Sequence, residues 1–161
     1  MELGVFTAIV LRHPTEDAVL LLRRSPDKKR FPGLITGIGG QVELADGEGA
    51  DLVGSMLREF DEETVIPMEI VEDVRCRLST IITRGDQQVL LLWFTGRLTA
   101  MPEDLACNEG VLEFHAIDSL PIREMVPTAS KTIPFICSLP EDDEAIWNGC
   151  FDDAGNLITN R

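Results

Sequence analysis

The residues best suited to chemistry in this sequence lie between Gly37 and Ile66, GIGGQVELADGEGADLVGSMLREFDEETVI. The stretch opens with Gly37, Gly39 and Gly40, where the missing Cβ lets backbone carbonyls and amides lie close to a ligand. It closes on Arg58-Glu59-Phe60-Asp61-Glu62-Glu63, in a segment whose apolar positions Leu52, Val53, Met56, Leu57 and Phe60 recur at helical spacing. At about 100° per residue, Glu59, Glu62 and Glu63 fall on one stripe beside that apolar face. Like charges three and four residues apart repel by a few tenths of a kcal/mol per pair. A hard divalent cation, Mg²⁺ or Mn²⁺, is the natural compensation, because such ions prefer carboxylate, carbonyl and water oxygens. A solvated acidic helix face is the plainer alternative. The glycines upstream, the Arg directly before the first Glu and the apolar residue between the carboxylates favour the metal.

This arrangement resembles the Nudix box of the Nudix hydrolases, in which a Gly and an isolated Glu precede the pattern Arg-Glu-apolar-x-Glu-Glu-x-Gly-apolar. Gly40 matches the opening Gly, and Arg58, Glu59, Phe60, Glu62, Glu63 and Ile66 fit the second half in register. Two departures stand out. Between Gly40 and Arg58 the chain is four residues longer than the pattern, so Glu48, Glu43 and Asp51 all compete for the isolated Glu. Glu48 is favoured because Asp46-Gly47-Glu48-Gly49 reads as the turn before the helix. Val65 stands where the pattern has its helix-ending Gly, which leaves Pro67 to supply the stop.

The resemblance implies an α/β protein, an α/β/α sandwich with a mixed β-sheet between helices. It implies Glu59, Glu62 and Glu63 as ligands of one or more Mg²⁺, with Mn²⁺ as a possible substitute. A backbone carbonyl near Gly39 would be a further ligand, and Arg58 would orient the glutamates. The reaction implied is metal-assisted hydrolysis of a diphosphate linkage.

The elements around this stretch can be read from periodicity and turn residues. Phe6 to Leu11 and Ala18 to Leu22 form a strand hairpin around the polar turn His13 to Asp17. Arg23 to Arg30, with Pro26 and then Pro32-Gly33, is a loop leading into the glycines. It collects Arg23, Arg24, Lys28, Lys29 and Arg30, over a third of the 14 Lys and Arg. Cations there could meet substrate phosphates, with Arg23 the best candidate at a strand end. Val71 to Thr83 and Gln88 to Leu98 are strands joined by Arg84-Gly85-Asp86-Gln87. Met101 to Asn108 reads as a loop, Val111 to Ile117 as a strand and Ala129 to Leu139 as a helix blemished by Pro134. Ile146 to Phe151 is a last strand before the turn Asp152 to Asn156. Strands on both sides of one acidic helix, with a second helix near the end, point independently to the α/β class.

With 161 residues and a 44% apolar share, the chain is expected to form one domain over residues 1–161. No apolar run is long enough for a membrane span, and the start lacks the basic region and cleavage site of a signal peptide. A cytoplasmic protein, monomer or homodimer, without a membrane partner is expected. The formal charge of −14 argues against a nucleic acid polymer as partner and for a small-molecule nucleotide. Cys76, Cys107, Cys137 and Cys150 form no CxxC pair, and reduced thiols are expected. His13 and His115 have no nearby nucleophile and read as structural or surface residues.

Beyond the box, Cys107 to Phe114, Asp118 to Pro121, Met125 to Pro127 and Trp147 to Phe151 resemble the oxidised-purine nucleoside triphosphatases of the family. That subgroup implies Glu109 as a metal-binding or water-positioning carboxylate. Where its members place two Asp to read the purine edge, this chain has Thr128 and Ala129. Thr7, Thr36 or Thr128 could hydrogen-bond a base, and Trp93 could stack on one or serve the core. A nucleoside diphosphate sugar or a dinucleoside polyphosphate is the alternative substrate. A non-catalytic nucleotide-binding module is the alternative of another class, disfavoured by retention of all three box glutamates.

Overall fold

The computed structural model describes the backbone of residues 2–161 and their side chains except those of Glu2 and Glu48. Among the described residues, nine strands form one mixed sheet: β1 (Glu2–Arg12), β2 (Ala18–Arg24), β3 (Ile35–Thr36), β4 (Val71–Arg84), β5 (Gln87–Leu98), β6 (Ala106–Cys107), β7 (Gly110–Ala116), β8 (Trp147–Phe151) and β9 (Leu157–Asn160). Their order is β6-β7-β2-β1-β5-β4-β8-β9, with β3 paired to β2. The β1–β5 and β4–β8 ladders are parallel and the others antiparallel. Two helices, α1 (Leu52–Glu63) and α2 (Ala129–Ser138), cover opposite faces.

The hydrophobic pattern explains the layering. β1, β2 and β5 are apolar at successive positions, so their side chains feed both faces of the sheet. Leu11, Leu20, Leu92 and Phe94 pack with Met56 and Phe60 of α1. Val10, Val19, Leu21 and Trp93 pack with Ala129, Ile133 and Ile136 of α2. Pro134 sits inside α2, its ring tolerated within a short helix whose other face is fixed by this core. Among the described residues, no helix is long and apolar enough to cross a membrane.

The helix ends differ from the sequence reading. Asp51, one of the candidates for the isolated Glu of the box, is the N-cap of α1: its carboxylate accepts a hydrogen bond from Gly54 N at 2.8 Å. Replacing it by Ala should cost about 1 kcal/mol, seen as a melting temperature lower by about 2–4 °C. At the other end Pro67 does not supply the stop. The chain is already extended at Thr64 (φ −124°, ψ 162°), whose hydroxyl donates to Phe60 O at 3.0 Å. Thr64 bridges to Cys107, and Val65 N reaches Ala106 O. Pairing with β6, in a segment the composition marked as loop, therefore pulls the backbone out of the helix three residues before the proline. The reading likewise did not place β9, which pairs with β8 after the Asp152 turn.

The cysteines are free, and His13 is structural, its Nδ1 accepting from the backbone N–H groups of Thr15 and Glu16.

Candidate active site

The glycine segment lies alongside β1. Thr7 N donates to Gly40 O at 2.9 Å, Ile9 N to Ile38 O at 2.7 Å and Val42 N to Val5 O at 2.8 Å. β2 pairs with β1 only through Leu11 and Arg12, so the segment takes the place beside β1 that β2 leaves open. Such closeness needs glycine at two positions. A Cβ on Gly39 would lie 2.0 Å from Thr7 O, and one on Gly40 would lie 2.4 Å from Glu59 Oε2. The four additional residues are taken up after this point by two short 3-10 turns, Leu44–Asp46 and Glu48–Ala50. Glu43 is exposed before the first of them, and the Glu48 side chain lies outside the described residues.

The three box glutamates do not share one environment. Glu59 is turned inward against Gly40, with a side chain 13% exposed, whereas Glu62 is 59% exposed. Arg58 spans the two, donating from Nη2 to Glu59 Oε1 at 2.8 Å and from Nη1 to Glu62 Oε2 at 2.9 Å. Glu63 is half-buried, and its Oε2 is a buried oxygen without a hydrogen-bond partner. Burial, together with the charges of Glu109 and Glu59, pushes its carboxyl up to about 8.

Glu109 reaches Glu63 through its neighbour. Asn108 binds the last carbonyls of α1, its N–H meeting Glu63 O at 3.0 Å and its side-chain amide meeting Glu62 O at 3.1 Å. The following carboxylate is thereby fixed beside the helix, where Lys28 pairs with it. Loop and helix are 46 residues apart in sequence, so only the fold brings these acids together.

No three described His, Cys, Asp or Glu residues form a ready-made metal cluster. The donor set nonetheless fits a hard cation. Glu59, Glu63 and Glu109 supply oxygen ligands only, the glycine backbone runs against Glu59, and an orphaned buried carboxylate oxygen is what a positive ion would satisfy.

Beside these acids opens a cavity of about 240 Å³. Thr7, Thr36, Thr128, Gly39, Gly40 and Glu109 line it, as does Trp93, which therefore serves both the core and the cavity. The indole Nε1 of Trp93 is buried without a hydrogen-bond partner. Arg23 does not line the cavity. Its guanidinium is held elsewhere, by Glu113 at 2.8 Å, Glu124 at 3.2 Å and the carbonyl of Gly33 at 3.3 Å. The neighbouring residue is the one that faces the cavity, because side chains alternate along β2.

Three arginines form one wall: Arg24, Arg30 and Arg84. Arg24 donates to the carbonyl of Arg30 at 3.0 Å, and Arg84 lies 5.9 Å from the ring centre of Phe31, another lining residue. Burial and the nearby Arg30 hold the Arg84 guanidinium below its ordinary value. Among the described residues none of the three is paired with a carboxylate, in a chain with twice as many acids as bases. Periodicity gave no warning of Arg84, which the turn residues had placed at a hairpin end.

Comparison with known proteins gives a consistent picture. A NUDIX domain model matches residues 3–136. A curated relative, an uncharacterized Nudix hydrolase NudL of Enterobacter sp. (strain 638), is 26% identical over 132 residues. The alignment covers 82% of this chain but 64% of that protein, so the chain spans less than two thirds of its relative's length. A MutT protein from Bacillus halodurans superposes with a TM-score of 0.63 at 18% identity, covering 96% of this chain and 94% of that one. A NUDIX hydrolase from Nitrosomonas europaea gives 0.71 at 17% identity, covering 94% and 80%. An ADP-ribose pyrophosphatase from Streptococcus suis gives 0.60 at 18% identity, covering 92% and 98%. At these identities the structural likeness establishes the fold.

Proposed function

Because the chain belongs to the NUDIX domain family, we propose that it is a hydrolase of a diphosphate linkage in a nucleoside triphosphate, releasing nucleoside monophosphate and pyrophosphate. One observation carries this reading. Glu63, with its buried, unpartnered oxygen, is near Glu59 and Glu109, and Glu109 lines a cavity that is also lined by three guanidiniums that, among the described residues, meet no carboxylate.

Nudix hydrolases generally use divalent metals, and Mg²⁺, with Mn²⁺ as substitute, is the ion proposed here. Glu59, Glu62 and Glu63, with the carbonyl near Gly39, would hold it, and it would supply neutralisation of phosphate charge and a more acidic attacking water. The protein's own groups do the positioning. Arg58 fixes two of the glutamates through its forked hydrogen bonds. Glu109, anchored through Asn108 to the end of α1, would be the acceptor of the water proton. The water oxygen adds to phosphorus as the bridging P–O bond breaks, and the leaving pyrophosphate takes the electron pair.

The arginine wall favours a triphosphate over a diphosphate sugar. Three cations without acidic partners suit a chain of phosphates, whereas a neutral second sugar needs none of them. The name of the Streptococcus suis neighbour keeps the sugar reading in play, and the wall supplies its test. Arg84→Gln should raise KM for a nucleoside triphosphate about tenfold while changing KM for ADP-ribose little. Equal effects on both substrates would remove the argument from the wall.

For the base, the cavity offers hydroxyls, with Glu109 its one acidic lining residue among the described residues. Thr7, Thr36, Thr128 and Trp93 line it, the indole N–H of Trp93 being buried. Ala129, the first residue of α2, is fully buried and faces no base. Oxidised triphosphates such as 8-oxo-dGTP are thus one candidate group to be measured against normal ones. The deciding experiment is a panel of oxidised and normal triphosphates, nucleoside diphosphate sugars and dinucleoside polyphosphates, assayed with Mg²⁺ and with Mn²⁺ by phosphate products. Metal-dependent cleavage of a triphosphate supports the proposal. Binding of nucleotides in a thermal-shift assay with no cleavage across the panel would establish a non-catalytic module instead.

A further inference from the structure

A second cluster of arginines lies about 17 Å along β1 from Thr7, at the end of the sheet away from the acidic site. Arg12, Arg75, Arg77 and Arg97 line a small cavity there with Asp73, Glu141, Thr95 and Gly96. Four arginines and two acids line it, and Asp17 lies 3.7 Å from Arg12 Nη1, in a chain whose formal charge is −14. Glu141 is shared, bonding Arg97 and lying 3.5 Å from Arg12 Nε, while Asp143 nearby is engaged by Arg161 at 3.3 Å.

The local backbone is built to gather these side chains. The β4–β5 ladder shifts register between Glu72 and Arg75 and again between Cys76 and Leu78. Bulges of this kind re-aim side chains, and Asp73 takes a positive φ of 54° within the first of them. Arg77, the additional residue of the second, is 2% exposed. Its Nη2 donates to Pro140 O at 2.8 Å and Nη1 to Thr95 Oγ1 at 3.4 Å, but the buried Nε has no partner. Arg12 donates to Cys137 O at 3.0 Å. Arg12 and Arg77 thus also satisfy carbonyls at the C-terminal end of α2, where cations are favoured. That role accounts for neither the open Nε nor the convergence of Arg75 and Arg97 on the same space.

Burying a guanidinium with an unpaired donor beside three like charges is costly unless an anion completes the set. The cavity, about 30 Å³, admits an oxygen or two of a bound group and not an organic ring. We propose that this cavity is a binding site for a small tetrahedral oxyanion, of which inorganic phosphate is the representative, separate from the acidic site and independent of the function proposed for it. The anion inserts one or two oxygens toward Arg77 Nε and is held at the mouth by Arg75 and Arg97.

The test is the melting temperature of the chelator-treated protein in phosphate, in sulfate, and in sodium chloride or acetate at matched ionic strength. Phosphate and sulfate should raise it saturably, by about 3 °C at ten times the dissociation constant, and chloride and acetate should not. The double variant Arg75→Gln/Arg97→Gln should lose the shift with its turnover unchanged. Arg30→Gln/Arg84→Gln, in the other cavity, should retain it. No oxyanion-specific shift in the wild type, or a shift that survives in the first variant, overturns the proposal. Should that variant fail to fold, a phosphate titration followed on the wild-type amide resonances decides. Saturable changes at residues 73 to 77 and 95 to 97 support the site, and changes confined to residues 24 and 36 to 40 refute it.

Discussion

In Glu63→Gln, turnover should fall by roughly a hundredfold or more with the circular dichroism spectrum unchanged. The substitution preserves shape and removes the ionisable group whose Oε2 the fold has buried without a hydrogen-bond partner. The same change should act in the opposite direction on stability when metal is stripped away. In the folded, metal-free protein this carboxyl titrates at about 8, against 4.5 for its ordinary value. The sign follows from linkage. Below pH 4.5 the carboxyl is neutral in both folded and unfolded chains and has no effect. Between 4.5 and 8 the unfolded chain gains by ionising while the folded one does not, so the folded state progressively loses ground. Above 8 the full penalty is reached. Chelator-treated Glu63→Gln should therefore melt above the wild type at about pH 8.5, with the difference shrinking toward pH 4.5. Saturating Mg²⁺ should reverse the order by stabilising only the wild type. A variant with near-normal turnover would remove Glu63 from the site, and a pH-independent difference in melting would remove its burial as the cause.

The glycine pair yields the second large effect, as a contrast between neighbours. Gly39→Ala drives a methyl to 2.0 Å from the backbone oxygen of Thr7, which the β1–β5 ladder holds in place. Stability should fall by about 3 kcal/mol, a drop in melting temperature of about 6–12 °C. Gly40→Ala instead meets Glu59, whose terminal atoms can rotate away. Its melting temperature should change by no more than about 4 °C, while activity falls along with the displaced carboxylate. Thermal melts of the two variants beside their turnover check the contrast. Equal losses of stability would show that the Glu59 side is as rigid as the β1 side.

The two predictions rest on different kinds of information. The acidic helix is legible in the sequence, because three glutamates beside an apolar stripe at helical spacing are a local pattern, and local patterns survive in one dimension. The mixed sheet between two helices is legible for the same reason, since alternating apolar runs and turn residues mark strands wherever the chain later carries them. The stop of α1 is not, because it comes from pairing Thr64 and Val65 with residues about forty positions away. Nor is the choice between Arg23 and Arg24. Both end β2, whose preceding residues are buried on its two faces, so no polarity contrast distinguishes the side that meets the cavity from the side that meets Glu113.

The sequence by itself determined that this chain carries a helix of the Nudix type, with Arg58 and the three glutamates in register, because identity and spacing along one helix fix which residues can share a face. The tertiary structure alone decided which of those glutamates keeps a buried, unpartnered oxygen, that Asn108 brings Glu109 near it, and that Arg24, Arg30 and Arg84 line the neighbouring cavity. Those relations depend on burial and on contacts between distant segments, and both exist only once the sheet has closed the distance between them.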